Sequence, residues 1–419
     1  MTTTKNNEHK NIKVPTLRFP KFQGEWEKCK VSDLLDFYST NSLSWDKLEY
    51  GTTNIQNLHY GLIHVGLPTM VDIDKDNLPN IIDGNVPKNY ELCKEGDIVF
   101  ADASEDTNEV AKAVEYYNLN GKKVVCGLHT IHGRDNKNKT VVGYKGYAFS
   151  SMSFHHQIRR IAQGTKIYSI NSKNFSECYV GIPSKDEQQK IADLLRLIDE
   201  RIATQNKIIE DLKKLKSAII ENVFDDKHSE RLQLDNVGSY IRGLTYSSND
   251  VVEHGGTLVM RSNNIVNGSL LDYNNNVVFV NKQMSAEQQL QNGDIVICMA
   301  NGSSSLVGKS SFYDGNCHSP ITVGAFCGIY RSKEPIVKWL FQTNKYRRYI
   351  WNSLQGGNGA IANLNGEDIL NMSFSIPNAT IKETCVKMLT SVDSALENNM
   401  SLCALYTLQK QHLLRLMFI

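Results

Sequence analysis

The segment from Gly302 to Ser310, Gly-Ser-Ser-Ser-Leu-Val-Gly-Lys-Ser, is the part of this 419-residue sequence that most resembles a site for chemistry. Loops of this composition hold phosphate groups on backbone amides and a lysine. Here, however, five residues separate the two glycines, whereas the phosphate-binding motif requires four. The internal repeat described below aligns Val307-Gly308-Lys309 with Val110-Ala111-Lys112, which has no glycine-rich loop. We therefore predict a structural turn and not a nucleotide site.

A second candidate is the adjacent pair His155-His156, followed by Arg159-Arg160. A metal or nuclease site would need carboxylates close by, and neighbouring residues on a helix point in different directions. A helix that is solvated or contacts phosphate explains the segment better. The sequence also lacks Gly-x-Ser-x-Gly, His-Glu-x-x-His and an Asn-Pro-Pro-Tyr-like motif. We predict no catalytic residue and no metal ligand, and expect that the chain is not an enzyme.

Polar side chains suited to nucleic-acid recognition occur in loops of both halves of the chain. Arg and Lys can donate hydrogen bonds to guanine O6 and N7, Asn matches adenine N6 and N7, and Lys and Ser position phosphates. Surface loops are polar in most proteins, so any single residue is more simply a solvated loop residue, and the prediction rests on the sets. The DNA-binding candidates of the first half are Ser104, Asn108, Arg159, Arg160, Lys166 and Tyr168. Those of the second half are Arg261, Asn263, Asn264, Asn301, Ser304, Lys309, Arg347, Arg348 and Asn358.

An internal repeat organises the chain that carries these loops. Gly96-Asp97-Ile98-Val99 recurs as Gly293-Asp294-Ile295-Val296, and Ile182-Pro183 recurs as Ile376-Pro377. At the same spacing as the Ile-Pro pair, three further residues match: Asp199 with Asp393, Lys216 with Lys410 and Phe224 with Phe418. The two halves differ far more in their polar loops than in these segments, as expected if the halves recognise different half-sites.

Two long amphipathic helices follow from the spacing of apolar residues. From Asp186 to Phe224 the apolar residues recur in a heptad pattern, and a second copy extends from about Thr380 to Phe418. Ser184 with Glu187 three positions later predicts an N-cap and capping box at the start of the first helix. Neither helix should be stable alone in water, so each needs a partner.

The partner of each helix is open to two interpretations. Each helix could pack only on the core of its own domain, or the two could pack on each other as an antiparallel pair with a pseudo-twofold axis. The second is favoured because Gln205 and Asn399 are equivalent polar residues on otherwise apolar seams, near the middle of each helix. Antiparallel pairing would bring the two amides together, where a hydrogen bond would fix the register of the helices.

These elements predict an α+β fold: two mixed α/β domains separated by two long helices that form an antiparallel coiled coil, with a pseudo-twofold internal repeat. Apolar runs at Asp97 to Phe100, Lys123 to Cys126, Asp294 to Cys298 and Thr322 to Tyr330 are expected to be strands. The predicted boundaries are 1–183 for the first domain, 184–227 for the central helix, 228–377 for the second domain and 378–419 for the C-terminal helix.

Composition limits how such a protein could bind DNA. With 46 basic and 45 acidic residues the net charge is +1, so a DNA-binding surface must be local or shared with a partner. Nine scattered cysteines without a Cys-x-x-Cys pair are typical of reduced cytosolic thiols. The polar start, MTTTKNNEHK, and the lack of an apolar run of about 18 residues predict a cytoplasmic protein that does not enter a membrane.

Over nearly its whole length the sequence resembles the specificity (S) subunits of Type I restriction-modification systems. The resemblance rests on the opening Pro15-Thr16-Leu17-Arg18-Phe19-Pro20 followed by Trp26, the two Gly-Asp-Ile-Val strands, and Ile-Pro before Asp186-Glu187-Gln188-Gln189-Lys190-Ile191. It also includes the helix end from Leu212 to Phe224. The second helix departs from the usual Glu- and Gln-rich start, because it begins Thr380-Ile381-Lys382-Glu383-Thr384.

The resemblance implies a role that composition alone does not. Family members are non-catalytic, bind double-stranded DNA, and assemble with two modification (methyltransferase) subunits that hold S-adenosylmethionine, while restriction (translocase/endonuclease) subunits join that core. Each target recognition domain binds one half of a bipartite, asymmetric sequence, and the conserved helices act as a spacer that sets the gap. Two alternatives from other classes are a DNA-modifying enzyme whose motifs are not recognised and a coiled-coil scaffold that does not bind DNA.

Overall fold

A computed structural model describes residues 14–225, 227, 230–354 and 362–419 of the chain. The chain divides into two compact units. Unit 1 comprises Met1–Asn206 and Ser401–Ile419, and unit 2 comprises Lys207–Met400. Each unit is described by itself below.

Unit 1 combines short strands with short helices, followed by a long helix that continues into unit 2. The strands are β1 (Glu27–Lys30), β2 (Asp36–Tyr38), β3 (Leu48–Glu49), β4 (Gln56–Leu58), β5 (Met70–Asp72), β6 (Asn80–Ile81), β7 (Ile98–Ala101), β8 (Ala103–Ser104), β9 (Ala113–Asn118), β10 (Val124–Cys126), β11 (Thr130–Arg134), β12 (Tyr168–Ser169) and β13 (Tyr179–Ile182). The helices are α1 (Val31–Leu34), α2 (Tyr60–Val65), α3 (Tyr144–Phe149), α4 (Met152–Ile161), α5 (Ser172–Ser176) and α6 (Lys185–Val223). A short 3₁₀ helix occupies Trp45–Lys47.

The strands of unit 1 form two main sheets and two strand pairs. The larger sheet has the order β2-β11-β7-β9-β5, and the smaller has the order β10-β4-β6-β3. The pairs are β1-β13 and β12-β8. Buried side chains of β7, α3 and α4 form one core, in which Phe100 packs edge-on against Phe149, with ring centroids 5.0 Å apart.

Unit 2 repeats this organisation. Its strands are β14 (Glu230–Gln233), β15 (Gly238–Arg242), β16 (Val251–Val252), β17 (Thr257–Met260), β18 (Val278–Val280), β19 (Ile295–Cys298), β20 (Ala300–Asn301), β21 (Ser310–Phe312), β22 (Ile321–Val323), β23 (Cys327–Ser332), β24 (Ala362–Asn363) and β25 (Ser373–Ile376). Its helices are α7 (Leu234–Val237), α8 (Val337–Leu340), α9 (Asn344–Leu354), α10 (Gly366–Leu370) and α11 (Ala379–Leu416), which continues into unit 1. Short 3₁₀ helices occupy Ser248–Asp250, Ser262–Asn264 and Ser304–Leu306.

The sheets of unit 2 have the orders β15-β23-β19-β21 and β16-β18-β17-β22, with the pairs β14-β25 and β20-β24. One sequence-based prediction is wrong here. The apolar run Thr322 to Tyr330 is not one strand but two, β22 and β23, which lie in different sheets. The chain turns between them, where the Gly324 amide donates to the Met260 carbonyl. The other predicted strands are found within a residue of their expected positions.

The repeated Gly-Asp-Ile-Val segment forms the same structure in both units. Asp97 accepts hydrogen bonds from Arg134 Nε and Nη2, both at 2.8 Å, and Asp294 accepts them from Arg331 at 2.8 and 2.6 Å. Both carboxylates are buried, so each needs its guanidinium partner to offset the loss of hydration. The preceding glycines, Gly96 and Gly293, have φ values of +83° and +88°, which favour glycine. The motif is therefore a structural lock between neighbouring antiparallel strands.

The two long helices pair antiparallel in each unit. In unit 1, Asp199 of α6 forms an ion pair with Lys410 of α11 at 2.6 Å, and the Cys403 thiol lies 3.3 Å from the amide oxygen of Asn206. In unit 2, Lys216 of α6 pairs with Asp393 of α11 at 2.7 Å. The predicted helices, and their packing on each other, are confirmed.

The same helices also pack on the domain cores, so the two interpretations of their partners are not exclusive. In unit 1, Ile191 and Leu195 join the core together with Met417 and Phe418. In unit 2, the equivalent positions Cys385 and Leu389 join the core with Ile220, Val223 and Phe224. Residues at equivalent positions of the repeat therefore occupy equivalent places in the two cores.

The start of α6 is fixed to its domain by Arg18 and by side chains of the first helical turn. The Glu187 amide donates to Ser184 Oγ at 3.4 Å, which is the predicted N-cap. The Glu187 carboxylate does not complete a reciprocal box in the described contacts, because it accepts from Arg18 Nε and Nη2, both at 2.7 Å. Gln188 is buried and donates to the Pro183 and Lys139 carbonyls. Both side chains therefore fix the helix to its domain.

The predicted contact between Gln205 and Asn399 stays a prediction. Gln205 is buried in unit 1. Its neighbour Asn206 contacts Cys403 of α11. Asn399 lies in unit 2, and its side-chain amide donates to the Ala395 carbonyl at 2.6 Å. Among the described residues, no helix is long and apolar enough to cross a membrane.

Candidate nucleic-acid interface

In unit 1 the fold brings four of the predicted DNA-binding residues together. Tyr168 of β12 lies directly opposite Ser104 of β8 in an antiparallel pair. Arg159, near the end of α4, donates from Nη1 to the Asn108 side-chain oxygen at 2.9 Å. We call Ser104, Asn108, Arg159 and Tyr168 the β8 surface.

Two further candidates of unit 1, Arg160 on α4 and Lys166 in the loop after it, are exposed. Acidic groups also border the β8 surface, because Asp106 accepts hydrogen bonds from the Asn108 backbone and side chain at 2.8 and 3.0 Å. The local charge is therefore mixed. A surface of this kind is suited to selective hydrogen bonding, since a plain phosphate-binding surface would be uniformly basic.

The strand pair β20-β24 of unit 2 repeats the pair β8-β12. Asn301 of β20, which occupies the place of Ser104, lies opposite Ala362. Its amide donates to Ser262 Oγ at 3.3 Å, and its oxygen accepts from the Ser303 backbone at 3.0 Å. Two clefts of unit 2 contain further predicted residues.

The first cleft, with a volume of about 430 Å³, brings three predicted residues together: Ser304, Lys309 and Arg347. Trp351, on α9 one turn after Arg347, lines the same cleft and is 65% exposed. Two cations and an exposed indole ring form a surface that can bind phosphate and stack on a base. Arg348 is exposed on the same helix. We call this the α9 cleft.

The phosphate-loop-like segment forms the floor of the α9 cleft as an ordinary turn. A short 3₁₀ helix occupies Ser304–Leu306, and the Gly308 amide donates to the Cys298 carbonyl at 2.8 Å. In unit 1 the Ala111 amide donates to the Ala101 carbonyl at 2.9 Å, and both Gly308 and Ala111 have positive φ. The predicted structural turn, shared by the two halves, is confirmed.

The second cleft of unit 2, of about 550 Å³, contains Arg261 and Asn263 together with Tyr246 and Phe326. Phe326 is 66% exposed. Arg261 donates from Nη2 to the Asn276 carbonyl at 3.1 Å, which holds the guanidinium near the cleft wall. We call this the Arg261 cleft.

One predicted residue is structural, and another falls outside the described residues. Asn264 is buried, and its amide donates to the Asp272 and Asn275 carbonyls while its oxygen accepts from the Arg261 backbone. All of these hydrogen bonds hold the loop together, so Asn264 is structural. Asn358 lies outside the residues that the structure describes.

The two side chains of the histidine pair differ in exposure. His156 is exposed, whereas His155 is mostly turned inward. Burial, with a smaller effect of Arg159, lowers the pKa of His155, which favours the neutral ring. Elsewhere in the described part of the chain, one group of His and Cys side chains could hold a metal ion, namely Cys93, Cys126 and His132.

Sequence reasoning missed the aromatic residues of the clefts. Trp351 and Phe326 are apolar, and composition alone predicts that such side chains are buried. Their exposure beside arginine, lysine and asparagine became visible only in the fold. Exposed aromatic rings in a polar cleft can stack on bases or insert between base steps.

Comparison with known proteins gives a consistent result. Residues 23–214 match the family profile described as Type I restriction modification DNA specificity domain. The chain is 34% identical over 155 residues to the specificity subunit of the Type I restriction enzyme EcoKI of Escherichia coli strain K12, covering 35% of this chain and 31% of that one. It is 33% identical over 153 residues to the StySPI specificity subunit of Salmonella potsdam, covering 35% and 31%. The matched stretches thus span about a third of each relative.

Solved structures share the fold over almost the full length. The S subunit of a Type I restriction-modification system from M. genitalium is 16% identical, with a TM-score of 0.60, covering 97% of this chain and 99% of that one. A chain from a structure of the type I R-M system, determined to explain complex assembly and conformational transition, is 11% identical with a TM-score of 0.51, covering 93% and 96%. The predicted α+β fold with two long paired helices is confirmed.

The chain therefore has the fold of these two solved structures. Its residues 23–214 are similar to the Type I restriction modification DNA specificity domain.

The neighbouring residues Asn263 and Asn264 allow a matched test of this site. Asn264→Ala removes a buried group with three hydrogen bonds, so the free energy of unfolding should fall by about 1–3 kcal/mol. Asn263→Ala should leave stability unchanged and weaken DNA binding, because Asn263 is exposed in the Arg261 cleft. Urea unfolding and DNA titration of both variants measure the two effects. Equal effects of the two variants on stability would contradict this assignment.

Proposed function

We propose that this chain is the specificity subunit of a Type I restriction-modification enzyme, in which the recognition domain of each unit binds one half of a bipartite, asymmetric DNA sequence. The proposal depends on one observation: the two units share the same internal contacts but carry different polar side chains at equivalent surface positions. The Asp97–Arg134 lock recurs as Asp294–Arg331, whereas Ser104 is replaced by Asn301 on the equivalent strand. Two domains of one fold with different polar surfaces are suited to two different half-sites.

The side chains of these surfaces have the chemistry that base recognition requires. Asn301 offers an amide that matches adenine, and the Arg347 guanidinium can donate to guanine O6 and N7. Lys309 in the same cleft suits a phosphate, and Trp351 offers a flat ring for stacking. On the β8 surface, Arg159 and Asn108 are already hydrogen-bonded to each other and so present a fixed pair of donors and acceptors.

The methyltransferase chemistry belongs, in this proposal, to two modification subunits that hold S-adenosylmethionine, and DNA cleavage belongs to restriction subunits. The near-neutral charge supports such sharing, because partners would complete a basic channel around the DNA. The long helices also expose apolar side chains to which partners could bind: Leu197, Leu215, Met388, Leu405 and Leu408 are between 41% and 62% exposed.

The chain itself then acts without catalysis, in the cytoplasm, where the DNA lies. Its helices set the gap between the two half-sites. At about 1.5 Å per residue, α6 with its 39 residues extends over roughly 58 Å, which is well over one turn of duplex DNA.

Exchange of one recognition domain tests modularity. Replacing residues 228–377 by the corresponding segment of a relative with a different target should change one half of the methylated sequence and leave the other half intact. Sequencing of methylated adenines in cells that carry the hybrid identifies both halves, and the reciprocal exchange of residues 1–183 is the control. A change in both halves, or in neither, would show that the two units do not act independently.

The α9 cleft makes a separate prediction about salt. If Lys309 contacts a phosphate, Lys309→Ala should weaken binding to all DNA sequences alike and lower the slope of log K against log salt by about 0.9. Arg347→Ala should instead reduce the preference for the cognate sequence if it contacts a base. Lys387→Ala, on an exposed face of α11 where Lys387 pairs with Glu383, is the matched control. Binding is measured with the modification subunits present; unchanged slopes in both cleft variants would exclude the α9 cleft from the interface.

A further inference from the structure

Three soft metal ligands converge inside unit 1. The Cys93 amide donates to the Val124 carbonyl of β10, Cys126 ends β10, and His132 lies in the middle of β11. Their ligand atoms all lie within 4.8 Å of one another, and the two sulfurs are 3.4 Å apart. All three side chains are buried, with 6%, 2% and 0% of their surfaces exposed. The sequence predicts no metal site, because Cys93, Cys126 and His132 are far apart in the chain and show no spacing that is typical of zinc ligands.

The imidazole of His132 is oriented by a carboxylate, as is common for histidines that bind a metal ion. Its Nε2 lies 2.7 Å from Asp97 Oδ2, and Asp97 also accepts two hydrogen bonds from Arg134. An ionised carboxylate can only accept, so Nε2 donates to Asp97 and Nδ1 is the nitrogen left for a metal ion. Nδ1 is buried and has no hydrogen-bond partner among the described residues. A carboxylate that orients a histidine in this way is the usual support of a histidine bound to zinc.

A second buried polar atom lies beside the sulfurs. The Tyr116 hydroxyl is fully buried and has no hydrogen-bond partner in the described part of the chain. Burial, with smaller effects of Cys93 and Cys126, raises its pKa well above the usual value. Its equivalent in unit 2, Tyr313, accepts a hydrogen bond from the Cys317 amide at 3.2 Å. Unsatisfied buried groups such as Nδ1 and the Tyr116 hydroxyl are rare and need an explanation.

Unit 2 supplies an internal control for what the fold itself requires. Leu290 donates its amide to the Ile321 carbonyl as Cys93 does to Val124, and Val323 pairs with Met260 as Cys126 pairs with Leu58. Ile329 faces Val296 as His132 faces Val99. Leu290, Val323 and Ile329 are buried hydrocarbon in the core of unit 2. The fold therefore does not need two thiols and an imidazole at these positions, and their joint presence in unit 1 calls for a separate cause.

We propose that Cys93, Cys126 and His132 bind one Zn²⁺ ion that stabilises the core of unit 1, with Tyr116 beside the remaining coordination position. Three atoms mutually within 4.8 Å lie at most about 2.8 Å from a common centre, so small movements would reach zinc–sulfur and zinc–nitrogen bond lengths. Two thiolates and a neutral imidazole exactly balance the charge of Zn²⁺, while Asp97 stays neutralised by Arg134. Thiolate and imidazole ligands suit zinc and disfavour magnesium or calcium.

Binding replaces the two thiol protons by the metal, and about two protons are released per ion. Apparent zinc affinity should therefore fall as the pH is lowered.

The test uses the full chain, purified under reducing conditions and titrated with Co²⁺ as an optical probe and with Zn²⁺. The wild type should show thiolate-to-cobalt absorption that saturates at one equivalent, lose it on addition of Zn²⁺, and release protons. The triple variant Cys93→Leu, Cys126→Val, His132→Ile carries the residues of unit 2 and should fold without binding. Cys298→Val with Cys327→Val removes a buried cysteine pair of unit 2 that has no histidine and should leave the spectrum unchanged.

Absence of thiolate absorption in the wild type, or an equal signal in the triple variant, would overturn the proposal. The proposal would also be overturned if, at a low concentration of reductant, Cys93 and Cys126 formed a disulfide in preference to binding the metal. As a second variant, Cys126→Val alone should lose the absorption while keeping the His132–Asp97 contact, so that loss of binding can be separated from loss of the core.

Discussion

An ion pair joins the two long helices in each unit, and it is buried in unit 2 and partly buried in unit 1. Asp199 pairs with Lys410 in unit 1, and Asp393 pairs with Lys216 in unit 2. Each carboxylate also accepts a hydrogen bond from an aromatic side chain of its domain, Tyr147 at 2.9 Å and Trp339 at 3.1 Å. A buried charge without its partner is strongly destabilising. Helix, partner helix and recognition domain must therefore assemble together, because each supplies part of the environment of one charge.

This arrangement explains why the surfaces can vary while the framework does not. The framework consists of the ion pairs, the Asp–Arg lock between strands and the apolar positions that recur between α6 and α11. The α9 cleft shares Val307, Tyr346 and Ile350 with the core of unit 2, whereas its polar lining residues Ser304, Lys309 and Arg347 are not part of that core. Such polar side chains can vary at little cost in stability.

The sequence predicted the framework better than it predicted the surfaces. Heptad spacing placed the helices at Asp186 to Phe224 and Thr380 to Phe418, and the structure has Lys185–Val223 and Ala379–Leu416. Periodicity of this kind is local, so a single sequence contains it. By contrast, nothing local distinguishes Asn264, which holds a loop, from Asn263, which faces a cleft. Exposure of Trp351 and the convergence of Cys93, Cys126 and His132 depend on contacts between distant segments, and these appear only once the sheets are formed.

The helix-to-helix ion pair couples the two helices to the domain of its own unit. A double-mutant cycle with Lys216→Met and Asp393→Leu tests it most directly by urea unfolding. Asp393→Leu should lose about 3–5 kcal/mol, because it leaves the Lys216 charge buried without its acidic partner. Lys216→Met should lose less, because Lys338 still pairs with Asp393 at 2.9 Å. The double variant should lose at least about 1 kcal/mol less than the sum of the two. The Asp199 and Lys410 cycle should give a coupling of the same sign. Additivity within about 0.5 kcal/mol at both positions would contradict the claim.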